Sequence, residues 1–167
     1  MTVLVTAASK HGSTQEIAEA IGRALADSGV AVEVEPLERV KAVDAYEAVV
    51  LGSAVYIGSW TREAKHFVRA HRGALAQRPV WIFSSGPVGM PPKPDLPSAV
   101  KVDEIADATH PREHRVFAGK IDHRSLGIAE RAVTKAVHAT EGDFRDWPRI
   151  EAWGRSIAQA LTQTPVS

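Results

Sequence analysis

Apolar positions along the chain follow two alternating patterns. Near-continuous apolar runs at Thr2–Thr6 ("TVLVT"), Ala48–Ser53 ("AVVLGS"), Val80–Ser85 ("VWIFSS") and Arg115–Gly119 ("RVFAG") predict strands covered on both faces. Val30–Val34 ("VAVEV") alternates apolar with polar, as a strand nearer an edge does. Between the strands the apolar period becomes helical. Ile17, Ile21, Ala24 and Leu25 share one face of a helix from about Ser13 to Asp27. Ser13 and Glu16 have capping-box form, and Gly29 is placed to end that helix. Ala64, Phe67, Val68 and His71 form the inner face of a helix over Thr61–Gly73. Weaker helical stretches are expected around Arg39–Tyr46 and Ser98–Ala108. In the last helix Asp146 caps, Pro148 sits in the first turn, and Ile150, Trp153, Ile157 and Leu161 make the buried stripe.

Five strands alternating with helices predict an α/β fold, an open parallel sheet with helices on both faces. No internal repeat or linker divides residues 1–167, so a single domain is expected, with a Pro-rich loop at Gly86–Pro97. The chain has no cysteine, which excludes disulfides, thiolate metal sites and a cysteine nucleophile. Twenty basic residues balance twenty acidic ones, so charge offers no argument for nucleic acid. No apolar run approaches the roughly 20 residues of a membrane span, and the N-terminus lacks a signal-peptide shape. The expected location is the cytoplasm.

In a sheet of this kind ligands sit at the carboxyl ends of the strands. Three loops follow buried strands here, and all are rich in small or hydroxyl residues. The first, "AASKHGST", precedes a helix whose N-terminus offers unpaired N–H groups and a positive dipole end. Gly12 lets the backbone approach an anion, Ser9, Ser13 and Thr14 offer hydroxyls, and Lys10 offers a charge. That suits a phosphate cradle, with a plain capping loop as the alternative. Neither G-x-x-x-x-G-K-[ST] nor G-x-G-x-x-G is present, so the expected ligand is a mononucleotide. The second loop, "GSAVYIGSW", sets Tyr56 and Trp60 about Gly58. These aromatics suit stacking on a flat ring, or packing of the next helix. The third, "SSGPVGM", supplies backbone groups for a polar ring edge.

Rival readings of the topology lack their residues. A phosphoacceptor domain needs a carboxylate at a central strand end, where this chain has Thr6, Gly52 and Ser84. G-x-S-x-G, the elbow of serine hydrolases, is absent. His110 and His114 have metal-compatible spacing without a third ligand, and no metal site is expected.

"VTAASKHGSTQEIA", "YEAVVLGSAVYIGSW" and "IFSSGP" resemble the FMN loops of the flavodoxin superfamily. More narrowly, with "VFAGKID" and "DWPRIEAWGRSIA", the chain is similar to the flavodoxin-like, menaquinone-dependent protoporphyrinogen oxidases of bacteria. The resemblance implies a flavodoxin-like three-layer α/β/α sandwich with a five-stranded parallel sheet and a non-covalent FMN. It implies that Ser9, Lys10, His11, Gly12, Ser13 and Thr14 hold the ribityl phosphate. Ser53, Ala54, Val55, Tyr56, Ile57 and Gly58, with Ser84, Ser85, Gly86, Pro87, Val88 and Gly89, would then frame the isoalloxazine. The first loop departs from the family pattern at Ala8 and His11.

The activity implied is that of an FMN-dependent oxidoreductase passing electrons from a reduced organic substrate to a quinone. Alternatives are a non-enzymatic electron carrier with a partner protein, a deazaflavin in place of FMN, and a flavin-free interaction module. The basic excess of Pro111–His138 could receive anionic substrate groups or rest on the inner face of the membrane. A solvated helix face over Ser125–Thr140 is the plainer alternative.

Overall fold

The computed structural model describes residues 2–9, 12–56, 58–86, 102–117, 120–121, 142–143 and 145–163. Strands β1 (Thr2–Ala8), β2 (Ala31–Pro36), β3 (Ala48–Tyr56), β5 (Val80–Ser85) and β6 (His114–Phe117) form a parallel sheet in the order β2-β1-β3-β5-β6. The chain starts near one side, steps outward to β2, then crosses β1 to β3. That reversal puts a crevice at the carboxyl ends of β1 and β3.

Side-chain alternation divides the core into two layers, as a period of two along each strand requires. Val3, Val5, Val50, Trp81 and Phe83 face helices α1 (Ser13–Asp27) and α5 (Trp147–Gln163). Leu4, Leu51, Val80 and Ile82 face α2 (Arg62–Ala70), α3 (Arg72–Ala76) and α4 (Asp103–Thr109). The expected open parallel sheet with helices on both faces is present. Edge strand β2 shows the partly exposed pattern that its alternation predicts, and begins at Ala31.

Several elements differ from the sequence reading. Residues 39–46 form no helix; a 3₁₀ turn at Leu37–Arg39 runs into turns instead. The carbonyls of Val43 and Tyr46 accept from the Arg78 guanidinium, and Val43 O also accepts the Tyr46 N–H at 3.1 Å, so this stretch is held as a turn tied to the chain after α3. The helix expected over Thr61–Gly73 breaks at His71 (φ −112°, ψ 18°) and restarts, which carries Leu75 into the core. Strand β3 continues three residues past Ser53 and turns at Gly58 into β4 (Ser59–Trp60), which pairs antiparallel with it. A short off-sheet ladder, β7 (Lys120–Ile121) with β8 (Gly142–Asp143), has no counterpart in the sequence reading. The Ser125–Thr140 face lies outside the described residues. Among the described residues no helix is long and apolar enough to cross a membrane.

Candidate functional site

The first strand end is built by an abrupt change from extended to helical backbone. Gly12, at φ 85° and ψ −16°, takes the left-handed turn that lets α1 begin at Ser13. With Gly12 as N-cap, Ser13 and Glu16 occupy the first and fourth helical positions. The capping box expected from their spacing therefore does not form, and among the described residues no side chain caps the helix. The first-turn amides are left facing the loop with the positive end of the helix dipole. Ser9, which follows β1, has its Oγ buried with no hydrogen-bond partner. Thr14 is buried and Ser13 half-buried. A buried hydroxyl without a partner costs about 1–3 kcal/mol, and an acceptor-rich ligand group would remove that cost. Lys10 and His11 lie outside the described residues.

Glu16 pairs with a residue from the far end of the chain. Arg145 places Nη1 3.2 Å from Glu16 Oε1 and 3.4 Å from the carbonyl oxygen of Ser13. Its guanidinium carbon lies 4.6 Å from the Trp147 ring centroid. Arg145 is positioned by the start of α5, where Asp146 Oδ1 accepts the N–H of Arg149 at 3.2 Å, the cap that the sequence predicts. The sequence reading missed Arg145, and no local pattern marks it.

At the second and third strand ends the hydroxyls are used internally. Ser53 Oγ accepts the N–H of Thr61 at 3.1 Å and donates to the carbonyl of Ala54 at 2.8 Å. Thr61 in turn caps α2, its Oγ1 accepting from Ala64 N at 3.2 Å. Ser84 is fully buried. Its Oγ accepts the Trp60 indole N–H at 2.8 Å and lies 2.7 Å from His114 Nε2. Burial pushes the His114 imidazole below its ordinary pKa, which favours the neutral ring, whose Nε2 can accept a hydrogen bond from the Ser84 hydroxyl. Trp60 is buried against α2 and Ser84, so of its two expected roles it takes the packing of the next helix. These bonds tie β4 and the end of β5 to the first residue of β6 in one frame.

That frame brings two of the expected loops together. Gly86, at φ 152°, lies so close to β3 that a Cβ there would stand 3.3 Å from the carbonyl oxygen of Val55. Its N–H donates to Phe117 O at 3.2 Å. Ala54 and Val55 are half-buried, Gly58 is the turn residue, and Ser85 is buried. Ile57, Pro87, Val88 and Gly89 lie outside the described residues, as does the side chain of Tyr56.

Beside the first strand end a cavity of about 770 Å³ opens. Ala8 and Ser9 form one side, Leu37 and Val40 another, and Phe67, Ala70, His66 and Arg62 of α2 the third. The 3₁₀ turn at Leu37–Arg39 in the β2–β3 connector supplies Leu37 to its wall.

Comparison with known proteins matches residues 4–147 to a family described as "Flavodoxin domain". The protoporphyrinogen IX dehydrogenase [quinone] of Escherichia coli (strain K12) is 23% identical over 179 residues, covering 99% of this chain and 98% of that protein. A flavodoxin from the domain Archaea superposes with a TM-score of 0.65 at 19% identity, over 98% of this chain and 100% of that one. The oxidised Flavodoxin 1 from Bacillus cereus gives a TM-score of 0.59 at 14% identity, over 99% and 100% of the two chains.

Proposed function

The chain belongs to the flavodoxin domain family, and from that membership we infer that it is an FMN-binding redox protein. On that premise we propose that it is an oxidoreductase taking electrons from a reduced organic substrate and delivering them to a quinone. Protoporphyrinogen is the first substrate to test. Bound FMN supplies the redox chemistry, accepting hydride equivalents and passing them on, while the protein supplies binding, orientation and exclusion of water.

The observation that carries the reading is the end-to-end match to a quinone-linked protoporphyrinogen dehydrogenase, 99% of one chain against 98% of the other. The cavity supports it: about 770 Å³ is within the size range of small-molecule sites, roughly 300–1,000 Å³. Its walls are apolar at Leu37, Val40, Phe67 and Ala70, with Arg62, His66 and His71 able to meet polar groups. The balance of twenty acidic and twenty basic residues also lacks the acidic excess that suits docking to a basic partner.

The residues fit the cofactor. Ser9, Gly12, Ser13 and Thr14, with Lys10 and His11 between, would hold its phosphate. The orphaned Ser9 hydroxyl and the uncapped α1 terminus are what an anionic group would complete. The backbone at Ser53–Gly58 and Ser84–Gly89 would frame the ring, since the hydroxyls of Ser53 and Ser84 are already engaged.

Two measurements test the reading. Mass spectrometry of the co-purifying cofactor separates FMN from a deazaflavin or no flavin. Porphyrin fluorescence then follows oxidation of protoporphyrinogen with menadione as acceptor. Turnover that requires the quinone is expected, and its absence at full flavin occupancy would leave an electron carrier. For the loop, Lys10→Ala and Thr14→Val should each weaken FMN binding; unchanged affinity in both would sink the assignment.

A further inference from the structure

The cavity beside the first strand end combines groups that narrow its occupant. It adjoins two strand-end loops, since Ser9 follows β1 and Thr61 follows the β3–β4 hairpin. Helix α2 gives it two different edges. Phe67, 5% exposed, and His71 form the inner edge, with ring centroids 4.5 Å apart. Arg62 and His66, four residues apart and so on successive turns, stand on the exposed outer edge. Leu37 and Val40 of the β2–β3 connector add aliphatic surface. A molecule held here meets apolar wall over its body and nitrogen donors along one side.

Charge then separates the two electron partners of the proposed oxidoreductase. Among the described residues the lining carries one guanidinium, Arg62, against two carboxylates, Glu38 and Glu63, with the imidazoles of His66 and His71. Such a lining has no positive excess to draw in a polyanion, and its carboxylates oppose one at short range. A porphyrinogen with two carboxylates is a poor match. A neutral ring whose oxygens accept hydrogen bonds is a good one, because guanidinium N–H groups only donate and a neutral imidazole still offers one N–H.

We propose that this cavity is the quinone site. It takes a neutral naphthoquinone whose carbonyl oxygens accept from Arg62 and His66 and whose apolar substituent lies along Leu37, Val40 and Phe67. The anionic substrate binds elsewhere, so the two electron partners do not compete for one place. The inference rests on the reading of the chain as a quinone-linked oxidoreductase.

The test titrates the full chain, loaded with FMN, by calorimetry. The probes are menadione, menadione carrying one prenyl group, and mesoporphyrin, a stable dicarboxylate. Menadione should bind, and the prenyl group should tighten binding roughly fivefold or more by burying added apolar surface. Arg62→Ala with His66→Ala, both at exposed positions, should weaken both quinones roughly tenfold or more, and restoring Lys at position 62 should recover part of the loss. Val40→Phe should abolish the gain from the prenyl group. Mesoporphyrin should not displace menadione, and its affinity should change by less than about twofold in every variant, as for sites that share no partner. Should Val40→Phe not fold, the Arg62 and His66 variants decide.

Unchanged quinone affinities in these variants overturn the proposal. So does displacement of menadione by mesoporphyrin, or loss of mesoporphyrin affinity in the variants, because the cavity would then hold the anion. The functional reading is tested separately. If menadione does not reoxidise the reduced wild-type flavoprotein, that reading fails and takes the proposal with it. If menadione does so while every variant binds quinone as the wild type does, only the placement in the cavity fails.

Discussion

The two faces of the sheet are covered unequally. On one, α1 and α5 approach so closely that a Cβ on Gly154 would stand 2.7 Å from Ala24 Cβ. Beneath them Trp153 packs with ring centroids 6.1 Å from Phe83 and 5.6 Å from Phe117, both edge-on. On the other face α2, α3 and α4 leave the connector side open, and the cavity lies there. The lesson is a division of labour. A closely packed face holds the strand ends at fixed spacing, and the incompletely covered face leaves room for a small molecule beside them.

The largest expected effect breaks the closed face. Trp153→Ala removes the ring at the centre of the aromatic cluster and should cost about 3–5 kcal/mol in urea unfolding. A loss below about 1 kcal/mol would mean that this face is not closely packed. Gly154→Ala is the next test. Its added methyl must push α1 from α5, at about 1–3 kcal/mol, read as a lowered Tm.

The open face should respond differently. Val40→Phe adds atoms where there is space, so stability should stay within about 0.5 kcal/mol. Turnover of a substrate that uses the cavity should fall roughly tenfold or more. A large stability loss with unchanged turnover would reverse the assignment of the two faces.

The smallest effect concerns the frame between them. His114 is depressed by burial below its ordinary value of 6.5. In the window between those two values the unfolded chain binds more protons than the folded one, so stability falls as pH drops below about 6.5. His114→Gln should flatten that part of a pH–stability curve. An equally steep curve in the variant would assign the effect to another group.

Much of this architecture is legible in the chain. Val80–Ser85 was bounded correctly because a fully apolar run between turn residues has few alternatives. Asp146 as a cap, and Ile150, Trp153, Ile157 and Leu161 as one buried stripe, follow from local spacing alone. What was misread depends on partners far along the chain. Residues 39–46 have a weak helical pattern, but Arg78 takes two of their carbonyls. Trp60 reads equally well as a stacking face or a core residue until Ser84, 24 positions away, meets its indole.

The functional region divides in the same way. Small and hydroxyl residues after three apolar strands, and the glycine that turns the chain into α1, are properties of short segments, so the sequence by itself determined where the proposed cofactor loops lie. Only the tertiary structure decided which hydroxyls remain unengaged. Ser9 keeps an orphaned oxygen, whereas those of Ser53 and Ser84 are consumed by Thr61, Trp60 and His114. It also decided that Arg145 reaches Glu16. Local patterns are set by the conformational preferences of neighbouring residues, while a hydrogen bond or ion pair across the fold depends on strand order and helix approach, which no short stretch of sequence encodes.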